Sequence, residues 1–350
     1  MTTLADVPAI VNRAVRTGVN LHLIGEPGLG KTSVIEQVVT KLREADPDFG
    51  FWVIYTPSLS PVDFSVAMPE IESNTLKMYH NDKLPNAFID EDQRGILFLG
   101  ERDNADPATN KALQKYINGE DMGGLRKPKG VIVVSDSNDI GHRSGAVQQS
   151  LALLSRSRTL EVSFDADVAA KHFNDIGANV FVQAYLSLRK EHWTTFDQLI
   201  KAREYRIWAN PRAWERVSTA LTDAEANGET LSADEIIGDV GEGVGREFSA
   251  FLYAARELTS YDEIVSNPKK APKPEKLSDT YAIIAMLSAT VQAKDFAAVR
   301  TYAERYGIEV QVLFLRLLCS GKGTNKDACV RTPAYTTWYS VPEIRAAVLG

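Results

Sequence analysis

Gly25-Glu26-Pro27-Gly28-Leu29-Gly30-Lys31-Thr32 is the stretch that decides how the rest of this chain is read. It fits G-x-x-x-x-G-K-T, with an apolar run at 19–24 before it and an amphipathic stretch from Ser33 after it. Strand, loop and helix in that order separate a phosphate-cradling loop from a chance glycine-rich turn. The glycines let the main chain wrap phosphate oxygens, and the helix start adds its positive end. Lys31 reaches the outer phosphates, and the Thr32 hydroxyl is the candidate Mg²⁺ ligand. The candidate phosphate-binding residues are therefore Gly25, Glu26, Pro27, Gly28, Leu29, Gly30, Lys31, Thr32 and Ser33.

Outward from the loop, residues 1–165 alternate short apolar runs with helical periodicity, which predicts a parallel α/β sheet with helices on its faces. Five strands are expected at 19–24, 51–55, 95–99, 131–135 and 159–162, and helices at 7–16, 33–43, 107–118 and 146–154. From 166 to 266 the strand pattern gives way to helices, among them 180–189, 212–226 and 246–258, which predicts an all-helical second domain. Residues 267–277 hold three prolines and four lysines, and read as an exposed linker. Further helices are expected in 278–350, at 278–292, 295–306 and 310–318.

Three more places carry candidate chemistry. The run Ile96-Leu97-Phe98-Leu99-Gly100-Glu101 is an apolar strand ending in an acid. At such a place a nucleotide hydrolase needs an Asp for the metal's water shell and a Glu to polarise the attacking water. Glu101 is present, but Gly100 stands where the Asp is expected, which leaves metal affinity and turnover open; Asp103 or another carboxylate is a possible substitute. The strand at 131–135 leads to Asp136-Ser137-Asn138, placing Asn138 at the sheet edge to orient water, with a plain loop turn as the alternative. Arg156 and Arg158 either compensate a helix end or offer a guanidinium to a neighbouring subunit's terminal phosphate.

The bulk composition excludes several classes. With 350 residues, 44% hydrophobic and 24% charged, the chain is an ordinary globular protein of more than one domain. A net charge of −7 disfavours general affinity for nucleic acid, though a local basic channel is compatible with it. Cys319 and Cys329 are too few for a disulfide framework, and the histidines show no metal-ligand spacing. No leader-like segment or long uncharged apolar run is evident, so the expected location is the cytoplasm.

In this order and spacing the chain resembles the MoxR-like branch of the AAA+ ATPases over almost its whole length. Gly25–Thr32 resembles the Walker A loop, Ser60-Pro61-Val62-Asp63-Phe64 the segment after the second strand, and Ile96–Glu101 a Walker B strand with its Asp replaced. Ser135–Asn138 resembles sensor 1. Leu153-Leu154-Ser155-Arg156 resembles the finger segment, which favours Arg156 over Arg158. Asn210-Pro211-Arg212-Ala213-Trp214-Glu215 resembles sensor 2, making Arg212 the lid residue that touches the γ-phosphate. The resemblance implies an AAA+ P-loop core with a helical lid, ATP and Mg²⁺ as cofactors, and a homo-oligomeric, hexameric ring. It also implies remodelling of protein clients, often with a von Willebrand A-domain partner. The candidate catalytic set is Glu101, Asn138, Arg156 and Arg212.

Two other readings stay open: an ATP-gated scaffold that barely hydrolyses, motivated by Gly100, and a loader or motor acting on nucleic acid. Residues 119–130, with Arg126, Lys127 and Lys129, read as a hairpin, basic toward a pore or simply solvated. Phe64 lines a pore or is buried. The glycine-rich Gly238–Gly245 stretch lacks a preceding strand and reads as a loop or helix entry.

Overall fold

Apolar runs without polar interruption mark strands covered on both faces, and the runs Ile96–Leu99 and Val131–Val134 owe their place in the sheet to that. A computed structural model describes residues 2–138, 155–204, 206–257, 260–321 and 324–349. It divides into two units, 1–165 and 166–350. The first contains β1 (Thr2–Thr3), α1 (Val7–Thr17), β2 (Leu21–Ile24), α2 (Lys31–Ala45), β3 (Gly50–Tyr55), β4 (Ser65–Glu70) and β5 (Thr75–His80). Then follow β6 (Gly95–Gly100), α3 (Pro107–Ile117), β7 (Val131–Ser137) and β8 (Arg158–Ser163).

The main sheet runs β1-β8-β2-β7-β6-β3 with every neighbouring pair parallel. The five expected strands are present, and the two-residue β1 adds a sixth at the edge. The order places β2 between β8 and β7, so the loop after β2 lies beside the carboxyl ends of β7 and, one strand further, β6. Open α/β sheets bind ligands at that edge. The helix expected at 146–154 lies outside the described residues.

On one face, Leu97, Leu99, Val131 and Val133 pack with Leu113 and Tyr116 of α3 and with Phe64. Phe64 is fully buried, its ring 6.4 Å from that of Tyr116, so of its two readings burial holds. Helix α3 starts where the Asp106 carboxylate accepts from Ala108 N at 2.7 Å and Thr109 N at 3.0 Å, with Pro107 in the first turn. A cap of this kind satisfies amides that have no partner within the helix.

Two expectations for this unit need correction. Strands β4 and β5 form an antiparallel hairpin that sequence reading did not anticipate. The segment 119–130, read as a hairpin, contains no strand. Leu125 turns into the core, Met122 N donates to Leu125 O at 2.9 Å, and Lys127 Nζ donates inward to Val131 O at 2.6 Å. Arg126 pairs with Glu91 at 3.5 Å.

Among the described residues every regular element of the second unit is a helix. Tyr185, Trp214, Phe248 and Phe251 form an aromatic cluster, and Trp214 Nε1 donates to His192 O at 2.8 Å. The glycine-rich stretch is the junction between helices Ala233–Val240 and Glu242–Glu257. The proline- and lysine-rich stretch lies inside this unit; it is mostly exposed and without regular structure as its composition implies, yet its main chain is pinned. Its carbonyls, which proline keeps out of regular ladders, take other donors. Arg305 Nη1 donates to Pro268 O at 3.0 Å and Ala271 O at 2.7 Å, and the Tyr302 hydroxyl donates to Pro272 O at 2.8 Å.

Candidate active site

The loop after β2 is shaped by close backbone approach. Gly25 N donates to Ser137 O at 3.2 Å, and a Cβ at Gly25 would lie 2.6 Å from Val162 O, so a side chain there would collide with the main chain of β8. Gly30 takes φ 95°, a left-handed turn that glycine adopts freely, and α2 starts at Lys31 with no side chain capping its first amides. Those amides and the helix's positive end form an anion site. Lys31 is 5% exposed, and its ammonium donates to Gly25 O at 2.8 Å and Glu26 O at 3.0 Å, inside the loop. Thr32 and Ser33 are half-buried in the same turn.

Opposite the loop, the ends of β6 and β7 are tied together. Glu101 has φ 54° and ψ 44°, a left-handed conformation that costs a non-glycine residue about 1 kcal/mol and persists only where neighbours hold it. Its N–H donates to Asp136 Oδ1 at 2.9 Å, and its carbonyl accepts from the buried Thr56 hydroxyl at 2.8 Å. The Glu101 carboxylate is exposed, with Asn104 Nδ2 donating to Oε2 at 3.3 Å. Asp136 Oδ2 lies 3.8 Å from Lys31 Nζ. Asn138 is half-buried, and its N–H donates to Asp103 Oδ2 at 3.2 Å. Asp103 is 2% exposed, and its Oδ1 has no hydrogen-bond partner. Burial raises the pKa of both carboxyls. Lys31 and the Glu101 N–H oppose the rise at Asp136; the Asn138 N–H opposes it at Asp103, where Asp136 adds to it.

Beneath these groups a polar layer joins β2 to β7. His22, fully buried, lies 2.9 Å by Nδ1 from Ser135 Oγ and 3.0 Å by Nε2 from Ser137 Oγ. Burial first, then the positive charges of Arg102 and Lys31, lower its pKa from 6.5 to about 3, so the ring is neutral. Arg102 is 0% exposed and donates from Nη1 to Ser135 Oγ at 3.0 Å; burial lowers its pKa to about 10, and it stays charged.

The sequence-predicted residues are thus placed unevenly. Lys31 and the Glu101 main chain meet through Asp136, and Asn138 joins through Asp103. Arg156 Nε donates to Asn118 Oδ1 at 2.6 Å at the end of α3, in its own chain, while Leu153 and Leu154 of the same segment lie outside the described residues. Arg212 is exposed in the first turn of helix Pro211–Ala226 of the second unit, where Asn210 Oδ1 accepts from Ala213 N at 3.0 Å. Sequence reasoning gave no role to Asp136, Thr56 or His22. The one signal for Asp136 was an acid ending the strand after the one that ends in Gly100.

No family model matches this sequence, and no curated protein matches it. Among solved structures the chain is similar to a point mutant of RuvB from Thermotoga maritima, at 17% identity over 76% of this chain and 74% of that one, with a TM-score of 0.39. It is also similar to a presumed ATPase from Cytophaga hutchinsonii, at 12% identity over 97% of this chain and 88% of that one, with a TM-score of 0.36. Likeness this distant carries no argument, and the functional reading rests on the geometry above.

Proposed function

We propose that this chain is a Mg²⁺-dependent ATPase of the AAA+ class, MoxR-like in type, which works as a homo-oligomeric ring and remodels or loads a protein partner. The observation that carries the reading is the buried Lys31 ammonium inside an uncapped loop-to-helix turn, 3.8 Å from the carboxylate that holds the Glu101 main chain. The loop amides and Lys31 bind the phosphates. Glu101 and Asn138 position and polarise the attacking water. Arg156 from a neighbouring subunit and Arg212 from the lid contact the γ-phosphate. Such catalysis is positioning and charge stabilisation, with little covalent work by the protein.

The residues present fit a Mg²⁺ ion bound together with the phosphates. Mg²⁺ in such sites takes one or two protein oxygens and leaves the rest to water and phosphate. Thr32 offers a hydroxyl beside Lys31, and the Asp103 Oδ1 is an unpartnered buried oxygen at the facing strand ends. When bound, the ion supplies positive charge against the β- and γ-phosphates.

The rival reading, an assembly scaffold with weak hydrolysis, rests on Gly100. The test is Mg²⁺-dependent ATP turnover across protein concentration, beside Lys31→Ala. Turnover per chain should rise with concentration, as shared interfaces require. Lys31→Ala should lower ATP affinity by about 100-fold, from a charged hydrogen bond worth about 2–3 kcal/mol. Tight binding without turnover at any concentration would favour the scaffold.

A further inference from the structure

We propose that Asp136 has taken over the carboxylate duty vacated at Gly100, holding the water shell of ATP-bound Mg²⁺ with one oxygen while the other keeps Glu101 in its left-handed turn. The inference rests on the ATP reading above and assigns a residue that reading leaves without a role.

Register carries the first step. Tyr55 of β3 is paired with Gly100 of β6, and Leu99 of β6 with Ser135 of β7, so Asp136 is one step past that pair, in the row of Tyr55 and Gly100. Laterally adjacent residues of a parallel sheet project from the same face. A carboxylate at Asp136 is therefore the carboxylate of position 100 displaced by one strand, about 4.8 Å. The displacement is toward β2, which pairs with β7 through Leu23 and Asp136, and hence toward the loop that holds Lys31.

Tyr55 carries the second step. A Cβ at residue 100 would lie 2.8 Å from Tyr55 Cδ1 and 2.9 Å from Cε1, so the tyrosine ring fills the place from which an aspartate at 100 would project. Gly100, Tyr55 and Asp136 form one coupled arrangement.

The third step is what Asp136 touches. Its Oδ1 accepts from Glu101 N at 2.9 Å and its Oδ2 faces Lys31 Nζ at 3.8 Å, while the side chain keeps 15% exposure, enough for a ligand to reach it. Asp103, buried with an unpartnered oxygen, interacts electrostatically with the same Asp136 and Lys31. Two carboxylates, one buried and one half-buried, beside a lysine that is to be drawn onto phosphate leave negative charge for a divalent cation to balance.

The experiment measures ATP affinity of the full chain calorimetrically in excess Mg²⁺ and in EDTA, for the wild type, Asp136→Asn and Asp103→Asn. The readout is the Mg²⁺ increment, the ratio of the two affinities within each protein. The asparagine oxygen can still accept from the Glu101 N–H, so the charge is lost and the turn is retained. Asp136→Asn should lower the increment by about 10–100-fold, the usual effect of removing a group that supports a metal's ligands. Mn²⁺ retained with ATP, read by electron paramagnetic resonance, should fall with it.

An undiminished increment in Asp136→Asn overturns the proposal, as does one lost only in Asp103→Asn. A wild type that binds ATP equally with and without Mg²⁺ overturns it too but leaves nucleotide binding standing. A wild type silent in both conditions sinks the ATP reading itself. If Asp136→Asn does not fold, the triple change Tyr55→Ala, Gly100→Asp, Asp136→Ser moves the carboxylate back to β6. Recovery of the increment supports the exchange, and a folded, ATP-binding triple variant without it overturns the exchange.

Discussion

The turn between β2 and α2 and the strand ends facing it meet at one site, yet they are made of different materials. The turn is main chain: Gly25 pressed on the Val162 carbonyl, Gly30 in a left-handed turn, uncapped amides at the start of α2. The ends of β6 and β7 are side chain: Asp136 on the Glu101 amide, Thr56 on its carbonyl, the Tyr55 ring over Gly100. Main-chain construction fixes residue types at fixed positions, because no neighbour can be exchanged for the peptide itself. Side-chain construction fixes only what the groups do together, so a carboxylate can sit on a neighbouring strand while another side chain fills the space it leaves.

The largest effect should come at the joint between the two halves, His22. The ring is neutral in the fold, whereas the unfolded chain protonates it below about pH 6.5. Between that value and about 3 the unfolded state holds the extra proton, so stability falls as the pH falls. From pH 7 to pH 4 the loss attributable to this ring is about 3 kcal/mol. Chemical denaturation at both pH values should show His22→Gln losing less than the wild type by about that amount. Equal losses would mean the ring is not held neutral.

Gly25→Ala should be next, destabilising by about 1–3 kcal/mol because the obstructing atom is a carbonyl of β8. A midpoint unchanged in urea would break the claim that this half is rigid main chain. Gly100→Ala should be smallest, about 1 kcal/mol or less, since Tyr55 is half exposed and can turn aside. Adding Tyr55→Ala should remove most of that penalty, and a double-mutant cycle without coupling would separate the two residues.

The same contrast explains what was legible beforehand. The strands at the sheet's centre could be read because Ile96–Leu99 and Val131–Val134 are uninterrupted apolar runs, and the loop could be read because its geometry demands glycines at set intervals. The β4–β5 hairpin could not: Val66, Met68, Leu76 and Tyr79 are exposed, so burial imposes no alternation, and Pro69 argues against a strand except at an edge. The exposure of 267–277 was legible in its prolines and lysines, but its pinning was not, because composition says nothing about Arg305 and Tyr302, which reach back to the carbonyls of that stretch. At the site, the departure at Gly100 was plain, but the use of Asp136 depends on which strands are neighbours, a fact set by long-range pairing.

The buried Arg102 has a consequence for the proton on His22. The Ser135 oxygen accepts from Arg102 Nη1 at 3.0 Å, and its single hydrogen has two acceptors in reach, His22 Nδ1 at 2.9 Å and Leu21 O at 3.3 Å. A hydrogen on Leu21 O leaves the hydroxyl only a lone pair for His22, which then donates from Nδ1 and accepts from the Ser137 hydroxyl at Nε2; a hydrogen on Nδ1 reverses both bonds. The turn of one hydroxyl beside a sealed charge thereby sets the direction of the whole chain of hydrogen bonds across β2 and β7.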